Sequence, residues 1–263
     1  MLTDPPAWRL PCLSPLVCRV DCPTKDGDTW QWHEFKLTAC HLPGQTLYHG
    51  GLLVEGEGVR MFFGGDSFTP SGIDDYCAQN RNWLGKGVGY DHCLALIEKL
   101  QPTHVFNCHV NDAFDFTPEQ LRLMRANLAE RETLFGQLVP WDHANFGMDD
   151  SWVRCHPYEQ QGRAGEGAAF RVVVTNHAAE PRNAAVCAVL PRAWVSLPPP
   201  SGEGKGGGAG AWASAAIPAK SEASIPLTLR IPAGVPPGRY VVPVNVLFGA
   251  WELPQLVEAI VVL

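Results

Sequence analysis

Two apolar runs in this chain stop on residues that bind metals. VRMFF (59–63) leads through two glycines to Asp66, and THVFNC (103–108) leads to His109. Both runs are short, bounded by turn residues and rich in β-branched and aromatic side chains, which reads as strand rather than helix. Strands alternate faces along their length and release their last residues into loops, so polar groups placed this way collect at one edge of a sheet. The glycines before Asp66 let the backbone turn tightly and bring its carboxylate close to a ligand. A carboxylate and an imidazole at such an edge suit a divalent ion, zinc or iron. Two further histidines, His41 and His49, flank the turn that enters the preceding strand.

The surrounding pattern is that of an α/β layer arrangement. Residues 34–40 read as a strand ended by a Pro-Gly turn at 43 and 44, and residues 51–54 and 59–63 flank EGEG, a hairpin signal. Residues 64–89 read as a loop. Apolar spacing predicts a helix over 92–100, stopped by Pro102, and then a short buried strand over 103–107. Thr117 has the features of an N-cap, with Pro118 at the first helical position and Gln120 at the capping-box position, so a second helix runs to about 135.

Composition shifts near residue 160. Most of the His, Trp, Phe and acidic residues precede it; Ala, Val, Pro and Gly dominate after it, with a low-complexity stretch at 201–211. Short β-rich runs at 168–176, 184–191, 194–197, 221–232, 238–248 and 256–263 recur between Pro and Gly turns, as in an antiparallel β-sandwich, and no helix is expected among them. The domain reading is 1–150, a linker at 151–166, and 167–263. The length, 263 residues, accommodates two domains, and 46% apolar residues suffice for real cores. A net charge of −7 argues against a nucleic-acid partner. No apolar run approaches the roughly 20 residues of a membrane span, and no signal-peptide pattern opens the chain, so a soluble, by default cytoplasmic, protein is expected. Nine cysteines without a CxxC pair read as reduced, mostly buried thiols, with a disulfide among Cys12, Cys18 and Cys22 left open.

PGQT, the strand pair, FFGGDSF and HVFNCHVND together resemble the later half of the metallo-β-lactamase-fold hydrolases, which show a PGHT-type motif, a strand ending in TGD and a strand ending in GH. The order agrees: 21 positions separate Gln45 from Asp66, and 43 separate Asp66 from His109. The resemblance covers about residues 30 to 145. It implies one half of an αββα fold, with Asp66 bridging two metals, His109 completing the second site, and metal-bound hydroxide attacking an ester, thioester, amide or phosphate bond. Gln45 stands where that family places a histidine, so the third ligand falls to His49 or His41; His49 is preferred because it opens the next strand toward the same edge. The family's HxHxDH cluster has no counterpart here. The resemblance therefore also implies a missing amino-terminal half, or a partner chain carrying it, to complete the site and cover an apolar sheet face. Asn176, PPGRY (236–240) and VVPVNVLFG are similar to immunoglobulin-like accessory modules, which implies a packing or binding role for the second domain.

Gln45, Asp74, Arg81 and Trp83 are expected to line a small-molecule pocket, with Asp75 beside them. His143 is expected to pack against Trp141 rather than join the site, and His92 to be structural. Two other readings stay open: a non-catalytic remnant or binding module, and a di-iron redox variant of the same fold.

Overall fold

The computed structural model describes residues 3–9, 16–74, 83–195 and 211–263. The chain divides into two compact units, Cys22–Asp150 and Met1–Asp21 with Ser151–Leu263.

The Cys22–Asp150 unit is built on a five-stranded sheet in the order β1-β2-β3-β4-β7: β1 (Thr29–Trp32), β2 (Phe35–His41), β3 (Gly50–Gly56), β4 (Val59–Phe63) and β7 (His104–Phe106). β1 to β4 form an antiparallel meander, and β7 joins β4 in parallel. Between them lie the two-residue strands β5 (Phe68–Thr69) and β6 (Gly72–Ile73), paired with each other, and α1 (Gly89–Leu100). α2 (Pro118–Leu138) and the one-turn α3 (Asn145–Met148) follow. β3 and β4 meet at Glu57 and Gly58, both with positive φ, as a two-residue type I′ turn demands. β1 was not anticipated; its four residues are all exposed, so no buried face marks it in the sequence.

Helix ends follow local chemistry. α1 begins three residues before the expected 92, where Asp91 accepts a bond from the Gly87 amide (2.7 Å). It ends at Gln101, whose left-handed backbone returns its N–H to the Ile97 carbonyl (2.8 Å) ahead of Pro102. At the start of α2, Thr117 Oγ1 accepts from the Gln120 amide (3.2 Å) and Gln120 Oε1 accepts from the Thr117 amide (2.9 Å), a complete capping box. Arg125 on α2 pairs with Asp91 and Glu98 on α1 and ties the helices together.

One sheet face carries the core. Leu53, Phe62 and Val105 from neighbouring strands pack with Leu94, Ile97, Leu121 and Met124 from the helices. The opposite face holds Leu37, Val54 and Met61 in one row and Ala39, Leu52, Phe63 and Phe106 in the next. It stays partly open: Trp30, Trp32 and Phe63 are 40%, 59% and 42% exposed.

The other unit is all-β apart from a 3-10 turn at Pro5–Ala7 and the short α4 (Arg192–Val195). Its strands are β8 (Val153–His156), β9 (Glu159–Gln161), β10 (Gly167–Asn176), β11 (Arg182–Ala188), β12 (Ala213–Ile217), β13 (Ser221–Arg230), β14 (Arg239–Phe248) and β15 (Trp251–Val262). They form a three-stranded sheet, β13-β10-β8, and a five-stranded sheet, β12-β11-β14-β15-β9. Each contributes a buried apolar face, with Val172, Val174 and Ile225 on one and Val186, Val244 and Val246 on the other.

Two expectations change. Residues 151–166, read as a linker, contain β8 and β9; β8 pairs with β10, and β9 with β15 about a hundred positions on. Residues 194 and 195, read as the start of a strand run in a helix-free region, fall in α4, because Pro191 opens a turn in which the Trp194 amide bonds the Pro191 carbonyl (2.8 Å) and the indole is buried. No disulfide joins the described cysteines: Cys40, Cys93, Cys155 and Cys187 are buried, while Cys18, Cys22 and Cys108 are exposed. Among the described residues no helix is long and apolar enough to cross a membrane.

Candidate metal centre

Topology assembles the site. β4 and β7 run in parallel, so their carboxyl ends release Asp66 and Cys108-His109 at one edge, and the antiparallel β2 and β3 bring His41 and His49 to that same edge. Asp66 Oδ1 lies 3.3 Å from His109 Nε2 and accepts a hydrogen bond from the Cys108 thiol. One ligand atom from each of Asp66, Cys108 and His109 falls within 4.8 Å of the other two. Asp66 Oδ2 accepts a bond from Gln45 Nε2 (3.1 Å), and Gln45 is buried.

Buried Asn107 locks the two loops. Its Nδ2 donates to the Phe68 carbonyl (2.8 Å) and its Oδ1 accepts from the His109 amide (2.6 Å), which fixes the turn carrying Cys108 and His109 against the segment carrying Asp66. Gly65, at φ +54°, brings the backbone close beneath His49: a Cβ there would lie 2.7 Å from His49 Nε2. His49 Nε2 is 3.2 Å from the Gly64 carbonyl. Two buried hydroxyls next in sequence to this cluster, Thr46 Oγ1 and Ser67 Oγ, have no hydrogen-bond partner among the described residues.

Charge follows geometry. The Asp66 carboxyl is held below its ordinary range chiefly by the Cys108 thiol, against some burial, with help from the Gln45 amide and the nearby His109 and His49 rings. The same bond, more than burial or the charge of Asp66, pushes the Cys108 thiol up. At neutral pH the pair rests as carboxylate and thiol.

The residues suit a metal of the zinc class. Thiolate, carboxylate and imidazole are the ligand types such an ion takes, and ligand bonds of about 2.0 to 2.3 Å in a tetrahedron set neighbouring donors about 3.3 to 3.6 Å apart. The Asp66–His109 separation already lies there. The side chain of His109 is mostly exposed, so the site faces solvent.

Of the residues expected as ligands, Asp66 and His109 meet in the cluster; His49 stands beside it, and His41 turns away, its Nε2 2.8 Å from the Leu47 carbonyl and its ring 6.2 Å from that of His92. Of the expected pocket residues, Gln45 joins the site directly. Asp74 is close enough for its charge to raise the Cys108 thiol, and its backbone accepts from Tyr90 Oη (2.6 Å). Trp83 has its carbonyl packed against Gly89 at the head of α1. Arg81 and Asp75 lie outside the described residues. His143 accepts from the Asn145 amide (3.1 Å), and the Trp141 ring packs on Phe146. Cys108 and Asn107 were not singled out from the sequence; the signal available was a cysteine adjoining the strand-end histidine.

No family model matches the chain, and no curated protein matches it. Among solved structures it is similar to an alkylpurine DNA glycosylase, AlkC, of Pseudomonas fluorescens, with 18% identity over 66% of this chain and 43% of that one and a TM-score of 0.25. It is also similar to a family 123 glycoside hydrolase from Clostridium perfringens (12% identity, 40% of this chain and 22% of that one, TM-score 0.25). A PapD-like domain of human CEP192 is matched at 13% identity over 42% of this chain and 82% of that one, with a TM-score of 0.23. The chain thus spans less than half of either enzyme. None of the three is a metallo-β-lactamase-fold hydrolase by description, and likenesses this low carry no argument about fold or activity.

Proposed function

We propose that the Cys22–Asp150 unit is the metal-bearing, carboxyl-side half of a metallo-β-lactamase-fold hydrolase, joined to an immunoglobulin-like accessory unit. The observation that carries the reading is the meeting of Asp66, Cys108 and His109 where the parallel strands β4 and β7 end. For the accessory unit, the supporting feature is Tyr240, whose Oη donates to the Pro236 carbonyl four residues upstream (2.8 Å) in the manner of a tyrosine corner.

The reaction class is hydrolysis of an ester, thioester, amide or phosphate bond. A bound divalent ion of the zinc class supplies a Lewis acid that polarises the scissile group and acidifies water. The protein's own residues prepare the place: Asp66 presents an ionised carboxylate, Gln45 fixes its orientation, and Asn107 holds the Cys108-His109 turn in register. The apolar second sheet face fits a fold completed by a further layer, and the companion half would bring it.

A second reading, metal or ligand binding without turnover, is favoured by the absence of an HxHxDH cluster from the sequence. Purified chain loaded with zinc and offered chromogenic esters, thioesters, amides and phosphate esters separates the two. Three donors from this chain with one open position suffice for a working single-ion site, so the hydrolase reading expects turnover by the chain itself that Asp66→Ala abolishes. Zinc-dependent binding with no turnover above the Asp66→Ala background overturns it in favour of the second.

A further inference from the structure

The geometry points to a centre for one divalent ion, not two, held on a sulfur–oxygen–nitrogen set from Cys108, Asp66 and His109, with Gln45 as the positioning residue that closes the other side of the carboxylate. This rests on the reading of the cluster as a metal centre and deepens it. A carboxylate that bridges two ions through both oxygens gives one to each, and needs both free. In Asp66 the two oxygens have different occupations. Oδ1 faces both Cys108 and His109. Oδ2 is taken by the Gln45 amide at 3.1 Å, from a buried side chain.

The chemistry of Gln45 gives that contact a direction. Its NH2 group is a donor with no lone pair to offer, and its carbonyl turned toward Oδ2 would set oxygen against oxygen. Beside an ionised carboxylate only the donor orientation is stable, and a donor's partial positive charge occupies the place where a second cation would sit. Gln45 therefore does for Oδ2 what a first metal does in a dinuclear site, while holding Oδ1 toward the sulfur and the imidazole. No histidine replaces it: His41 Nε2 turns to the Leu47 carbonyl, and His49 Nε2 to the Gly64 carbonyl.

Cys108 supplies the third donor and sets the choice of ion. Thiolate favours zinc and cobalt over magnesium, calcium and manganese, which take oxygen ligands. Three protein donors leave one position of a tetrahedron open, as in a reactive rather than a purely structural site.

The test uses the full chain stripped of metal and titrated with zinc and with cobalt(II). One equivalent of each should bind, the cobalt form should show a near-ultraviolet sulfur-to-metal charge-transfer band, and magnesium at the same concentration should not compete. Cys108→Ser should abolish the band and weaken zinc binding by more than the about 10- to 100-fold expected of Gln45→Ala, which removes only an outer partner. Zinc should also slow alkylation of Cys108, but not of exposed Cys18 or Cys22, in the unaltered chain, a readout independent of how the variants fold. Two equivalents of tightly bound zinc, a Cys108→Ser variant that binds as well as the original, or Cys108 alkylation indifferent to zinc would each overturn the inference while leaving the metal-hydrolase reading standing. Failure to bind any zinc would sink both, and one sulfur-ligated ion without turnover would sink the hydrolase reading alone.

Discussion

Gly65→Ala tests the backbone path that places Asp66. Gly65 has φ +54°, and a Cβ built there meets His49 Nε2 at 2.7 Å and Cε1 at 2.9 Å. Two costs follow. A left-handed backbone with a Cβ is worth about 1–2 kcal/mol. The imidazole must also swing away, losing its 3.2 Å contact with the Gly64 carbonyl, a further net loss of about 0.5–1.5 kcal/mol. The expected destabilisation is about 1.5 to 3.5 kcal/mol. Gly58→Ala separates the two parts, because Gly58 also has positive φ (+79°) yet a Cβ there meets nothing within 4 Å. It should cost only the backbone share, about 1–2 kcal/mol.

The chain has two compact units and need not unfold in one step, so the assay is hydrogen exchange of the β3 and β4 amides followed by mass spectrometry, which reports opening of this unit alone. The double variant Gly65→Ala with His49→Ala should destabilise no more than the sum of Gly58→Ala and the separate cost of His49→Ala, since the collision is gone. If Gly65→Ala costs no more than Gly58→Ala, the close passage of the chain beneath His49 is wrong, and the placement of Asp66 falls with it.

Other consequences are as definite. Asn145→Ala removes the bonds that its Oδ1 and Nδ2 make with the Leu84 amide (2.7 Å) and carbonyl (2.9 Å); with both groups buried, the loss should reach about 2 to 5 kcal/mol by the same exchange measurement. Asn107→Ala should weaken zinc binding by about 10- to 100-fold, read by competition with a chromophoric chelator, because the His109 amide and the Phe68 carbonyl lose their common tie. The His156 imidazole is held below its ordinary 6.5, mainly by burial and then by Arg171. As pH falls past 6.5 the unfolded chain takes up the proton first, so this stabilisation is full above that value and is lost as pH drops through the lower folded value. The all-β unit should therefore lose stability as pH falls below 6.5, and His156→Gln should flatten part of that slope in urea titrations.

What the sequence disclosed is what local rules control. The Thr117–Gln120 capping box and the EGEG turn are spelled by neighbouring residues and appear in place. The gathering of Asp66 and His109 could be anticipated because two apolar runs ending in polar groups need only a shared direction to meet, and the parallel β4–β7 pair supplies it. The misses depend on distant partners. β9 is a polar tripeptide that becomes a strand only because β15 offers it an edge about a hundred residues later. β1 buries nothing and is held by its ladder to β2. At 194–197 the β-forming residues pointed to a strand, and the turn started by Pro191 prevailed over 192–195.

The site itself shows the limit most clearly. Among nine cysteines, a thiol is by default a small buried apolar group, and four of the described ones are buried. Cys108 is exposed and donates to Asp66, 42 positions earlier, a partner that no local pattern announces. Gln45 carries the same lesson in reverse. As a residue type it is a poor ligand, so at a histidine's place it reads as a loss. Set 3.1 Å from Asp66 Oδ2 it acts as a donor that orients the carboxylate. On the single-ion proposal, Gln45 at the place where the resembled family has a histidine and the Cys108, Asp66 and His109 ligand set are one feature: the amide would take one metal's position and steady the carboxylate for the other.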